Sequence, residues 1–467
     1  MKKGKSIIAL LVVLVILLGS YVFIKRTPKK NNENKDISEN VQVVNLNRNE
    51  ITKVILTNDK GTITLDNNEK EWTVPNADFK LNQNEVNSLV NCFTPMHAER
   101  VVEEAAKDLD KYGLKKPIAT ADIMLKDGTK KELYLGSKTH IGNSSYVMIG
   151  GDEKIYSVDE RYTSFFLADI SGLRDRSLLA VNLNELTYAK LAEKQKPVIE
   201  IKVNNFQSDI EKSYNANHWL LSQPYSEPKE VNRDKMNDLI NGFSQLSIEE
   251  FVEEHPKSLE TYGLDKPSFE IELKDKTNTN KIYFGKDKDE NTTYFKTHKS
   301  EAVYTMAKSK ITPFKIKPFD LTLKTACSIN VDDLDQIIIE AKGSKSVIDL
   351  SRTTKKAEKS GEKDEVVTTY HLDNEKIEES SFKDFYRSLI GILVDSEIDK
   401  KLEEKPEIKT TFILNKGDNK RITVNYVPYN DEFYAVFKNG KVDFVVAKNK
   451  VENMVNELEK IKKAKVQ

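Results

Sequence analysis

The chain has 467 residues, of which 38% are hydrophobic and 31% charged, with 18 Gly and 13 Pro. That composition excludes collagen, Pro/Gly-rich linker proteins and polytopic membrane proteins, and at about 150 residues per domain the length suggests three domains. Lys+Arg 73 against Asp+Glu 74 gives a net charge of -1, and the two cysteines, Cys92 and Cys327, exclude a disulfide framework or a four-thiolate zinc site.

The first predicted element is a membrane span. Residues 7–24 form an uncharged run broken only by Gly19 and Ser20, and as a helix they reach about 27 Å, close to the thickness of a bilayer's hydrocarbon core. A cleaved signal peptide is the rival reading, since Lys2, Lys3 and Lys5 precede the run. Against it, the run exceeds an ordinary signal core, no Ala-x-Ala-like site follows, and Tyr21 to Ile24 continue past the small residues. Residues 1–6 are then a cytoplasmic tail and 25–44 a polar tether. Lys25, Arg26, Lys29 and Lys30 match the cations ahead of the span, so positive-inside counting leaves orientation nearly even. The long C-terminal body favours an extracytoplasmic placement on a single-pass anchor in the cell membrane. The first 30 residues carry seven cations and no acid, which leaves 66 cations against 74 acids beyond them, a charge of -8.

The body repeats. VVEEAAKDLDKYGLKKP from Val101 and FVEEHPKSLETYGLDKP from Phe251 are identical at ten of seventeen positions without a gap. Upstream, Val86, Leu89, Val90 and Phe93 form one apolar helix face, and Met236, Leu239, Ile240 and Phe243 repeat it. Each helix follows a strand that carries a tryptophan, Trp72 or Trp219. Hairpins are expected at Asn58 to Gly61, Lys126 to Thr129 and Gly150 to Asp152, with Gly113 and Gly263 ending short helices. YTSFFLADISGL, from Tyr162, is expected to close the unit as a helix. A weaker copy has Phe382, Phe385, Tyr386 and Leu389 as its stripe and Tyr370 in the tryptophan's place, and it lacks the Tyr-Gly-Leu element. The expected fold is therefore α+β: three tandem antiparallel-sheet-plus-helix repeats after the single transmembrane helix, at 45–180, 181–327 and 328–467, the last divergent.

Motifs that carry chemistry are not found. His97, His140, His218, His255, His298 and His371 never take metal-pair spacing, and no GxGxxG, phosphate loop or GxSxG occurs. VDDLDQ at Val331 lacks the glycine and the bidentate glutamate of a calcium loop. The pairs Glu103–Glu104 and Glu253–Glu254 tempt an acid–base reading, yet neighbours on a strand face opposite ways. Cys92 lies beside the buried stripe and reads as a small hydrophobe. Lysines scattered among acids argue against nucleic acid. No catalytic residue, cofactor or metal site is assigned.

The Tyr-Gly-Leu-x-x-Pro segments at Tyr112 to Pro117 and Tyr262 to Pro267 carry a family resemblance. They occur with the glycine-ended strands Leu133 to Gly136 and Tyr283 to Gly285. In this the chain resembles the domain-of-unknown-function family 4340, over about residues 50–325 and weakly beyond. The resemblance implies a bacterial envelope protein, encoded near ABC transporter components similar to gliding-motility auxiliary subunits. The expected function is a membrane-anchored extracytoplasmic accessory or scaffold protein, not an enzyme, bound to a transporter permease or another envelope partner. The alternatives are a cell-wall or glycan-binding module and, third, an envelope hydrolase.

Overall fold

The computed structural model describes residues 41–204, 218–355, 365–416 and 420–464. The expected span at 7–24, the tail and most of the tether lie outside them. Among the described residues no helix is long and apolar enough to cross a membrane.

The fold class expected from sequence is corrected. The described residues form four antiparallel sheets with few helices, a mostly β architecture, and the chain divides into two compact units with the boundary after Asp175. The α+β expectation gave the helical segments too much weight. YTSFFLADISGL is not one helix but three single turns, Glu160–Thr163, Ser164–Leu167 and Ile170–Leu173. Asp159 caps the first turn by accepting the Arg161 N–H; after the second, Ala168 turns extended at ψ 147 and Asp169 caps a fresh start by accepting the Ser171 N–H.

The first unit holds an eight-stranded sheet and a two-stranded one. The large sheet runs Trp72–Thr73, Gly61–Asn67, Ile51–Asn58, Ala119–Leu125, Lys130–Lys138, Ser144–Ile149, Ile155–Asp159, Arg100–Glu103. The chain builds one edge, crosses a face as the helix Gln83–Asn91, lays down the opposite edge, and then enters the centre. The small sheet pairs Val41–Val44 with Met96–Ala98. In the second unit two nine-stranded sheets follow the same order around the helices Arg233–Ser244 and Glu379–Ile390.

Alternation sets the buried face: Val54, Leu56, Leu65, Ala121, Ile123 and Leu133 are buried below the helix residues Val86, Leu89 and Val90. Phe382 stacks on Tyr370, with ring centroids 4.1 Å apart. The last sheet is closed by a 17-residue helix, Lys448–Ala464, which buries Val451, Met454, Val455, Leu458 and Ile461.

Candidate functional site

The repeated motif becomes a latch. After the strand Arg100–Glu103 the chain makes a single 3-10 turn, Asp110–Tyr112, and Gly113 ends it at φ 70. That left-handed conformation is costly for a residue with a side chain. The turn lies against the end of the strand Lys130–Lys138, where the Ser137 hydroxyl donates to the Tyr112 carbonyl at 3.1 Å. A Cβ on Gly136 would sit 2.2 Å from that same carbonyl oxygen and 2.9 Å from Leu114 Cγ. The backbones approach so closely that only glycine fits. In the second unit Gly263 has φ 68, and a Cβ on Gly285 would lie 2.1 Å from the Tyr262 carbonyl oxygen.

The paired glutamates belong to the same latch. Tyr112 Oη donates to Glu103 Oε2 at 2.5 Å, and Tyr262 Oη to Glu253 Oε2 at 2.6 Å. The carboxylate, with burial, holds each phenol above its ordinary pKa and therefore protonated as the donor. Tyr112 meets Tyr146 edge-on at 4.9 Å, as Tyr262 meets Tyr294 at 5.0 Å. Around the first pair, Tyr112, Leu114 and Ile155 form a small apolar cluster apart from the main core. Glu104 instead pairs with Lys154 at 2.8 Å. Glu103 and Glu104 thus have separate partners and do not converge.

The other candidates weighed from sequence also have structural surroundings. Asp333 pairs with Lys416 at 2.6 Å and Asp335 with Arg352 at 3.4 Å. Cys92 and Cys327 are free and buried, and burial pushes both thiols up, away from nucleophilic use. His298 Nδ1 accepts the Lys281 N–H. Among the described residues no group of three or more His, Cys, Asp or Glu side chains is placed to hold a metal ion.

Two arrangements escape sequence reasoning. Asn280, 2% exposed, accepts the N–H groups of Ala180 and Val181 and donates to the Leu178 carbonyl, pinning the strand-free segment before the second sheet. Nearby Asp275 accepts from the backbone of Asn182, Thr277 and Asn278, which hold its carboxyl below the ordinary aspartate range. Within the second unit, Tyr225 to Lys229 dock on the last sheet. Lys229 Nζ lies 2.6 Å from Asp443, Ser226 donates to the same carboxylate, and Tyr225 Oη donates to Glu397 at 2.7 Å. Phe444 takes Tyr225 and Phe319 edge-on.

These features define a mostly antiparallel-β protein whose recurring residues lock short turns onto sheet ends. The family described as a domain of unknown function, DUF4340, matches residues 72–254 and again residues 219–407. The chain belongs to that family. Neither the curated proteins nor the solved structures give a match.

Proposed function

We propose that the chain is a membrane-anchored extracytoplasmic accessory or scaffold protein, without catalysis of its own, that associates with an ABC-type transport system. The observation that supports a scaffold is the use to which the repeated polar residues are put. Glu103, Tyr112 and their counterparts Glu253 and Tyr262 bind one another and hold turns in place. A catalytic pair needs polar groups that converge on a substrate. The anchor rests on the apolar run at 7–24, and the transporter link rests on the family resemblance.

The test is purification of the full chain from its native membranes in several mild detergents, with mass spectrometry of what accompanies it. The reading expects a multi-span permease or a Walker-type ATPase to co-purify in stoichiometric amount. Recovery of the chain without either, across all detergents, overturns the transport association.

A further inference from the structure

A cleft of about 780 Å³ opens in the first unit beside Trp72, within the size range of small-molecule sites. Its floor is fixed. Gln83 Oε1 accepts the Trp72 N–H at 2.8 Å while Gln83 Nε2 donates to the Trp72 carbonyl at 2.9 Å, and Asn67 Nδ2 donates to the Ile51 carbonyl at 3.1 Å. Trp72 itself is 4% exposed, so the floor is held from both sides before any ligand arrives.

The rim carries a different chemistry. Arg48, Lys70 and Lys126 line it; Lys126 approaches Glu69 only at 4.0 Å, and Arg48 and Lys70 make no ion pair among the described residues. Asn49, Thr52 and Asn87 line it as well, with two carboxylates, Glu69 and Glu71, of which Glu69 faces Lys126 and leaves Arg48 and Lys70 for a ligand. A guanidinium that shares a cleft with lysines suits an oxyanion, which it grips with two parallel N–H bonds. Amides, which both donate and accept, together with a carboxylate acceptor suit neighbouring hydroxyl groups. An inorganic anion uses only the first kind of group and a neutral sugar only the second.

We infer that this cleft binds an anionic sugar, a polyhydroxylated ring bearing a carboxylate or a phosphate, with Arg48 and Lys70 on the oxyanion and Asn49, Asn87 and Glu71 on the hydroxyls. The site does not depend on the transport association, since it lies wholly in residues of the first unit. The two oxyanions are alternatives of one chemistry, and the choice of probe separates them.

Trp72 and Trp219 are the only tryptophans, so Trp219→Phe leaves Trp72 as the single indole reporter. The full chain, in a detergent without a sugar headgroup, is titrated with glucuronate, glucose 6-phosphate, glucose and sodium phosphate. A saturable change in Trp72 emission with glucuronate or glucose 6-phosphate is expected, at least about tenfold tighter than with glucose or phosphate alone. Arg48→Ala and Lys70→Ala, both at exposed positions, are each expected to weaken binding by about tenfold with unchanged circular dichroism. Calorimetry on the unsubstituted chain makes the same comparison without relying on Trp219→Phe. No saturable response to either anionic sugar up to about 20 mM, equal affinity for glucose, or undiminished binding in both alanine variants overturns the site.

Discussion

Deleting the Asn280 amide strands three backbone groups at once: two N–H donors at Ala180 and Val181 and the Leu178 carbonyl. Val181 is buried and Leu178 half-buried, whereas Ala180 is exposed, and an unpaired buried polar group costs about 1–3 kcal/mol. Asn280→Ala is therefore expected to destabilise the second unit by about 3 kcal/mol, measured by chemical denaturation; a change below about 0.5 kcal/mol would show that the segment is held by other means. Sequence alone does not reveal this role, because DKTNTNK reads as an ordinary polar hairpin tip and nothing local says which distant backbone lies over it. Gly113 is the opposite case. A glycine after a short polar turn and before Leu and Pro already implies a left-handed ending, and φ is 70 there. For Glu103 and Glu104, strand alternation separates the two side chains, while the Tyr112 partner nine residues away becomes visible only in the fold.

At the level of elements, helices were the most legible pieces and their extent the least. Val86, Leu89, Val90 and Phe93 are all fully buried, as the 3.6-residue spacing requires. The segment after Asp159 reads as one helix from its apolar content, yet the extended Ala168 and the Asp169 cap interrupt it. The balance between sheet and helix departs from the sequence expectation for a related reason. Periodicity registers a helix strongly from a few residues, whereas many short strands each leave a weak signal. Docking between elements is harder still. The segment Tyr225 to Lys229 gives no hint in sequence that it meets Asp443, a site where Lys229 is 18% and Asp443 10% exposed. Removing one member of such a pair leaves the other charge poorly solvated. Asp443→Ala is expected to cost about 2 kcal/mol, and the combination with Lys229→Met should recover part of that loss; full additivity in a double-mutant cycle would contradict a coupled pair.

Over the whole molecule, a length prior counts three domains, and the chain divides into two compact units of which the second holds two nine-stranded sheets. The prior counts residues, whereas cohesion depends on contacts such as those of Phe444 with Tyr225 and Phe319, which join the two nine-stranded sheets of the second unit. The same latch occurs once in each unit, at Gly136 and at Gly285, against the carbonyls of Tyr112 and Tyr262. Where the last sheet lacks it, Ile398 and Leu402 pack instead on Val427, Ala435, Phe437 and Val445. The motif on which the family resemblance rests is thus explained by backbone contact and needs no ligand. The most direct measurement is hydrogen exchange with denaturation on Gly136→Ala and Gly285→Ala, each compared with the unsubstituted chain. Each substitution is expected to lower the stability of its own unit by about 2–4 kcal/mol and to leave protection in the other unit intact, because a Cβ has no space beside the tyrosine carbonyl. Unchanged stability in both variants would contradict the latch and return the Tyr-Gly-Leu motif to the search for a functional site.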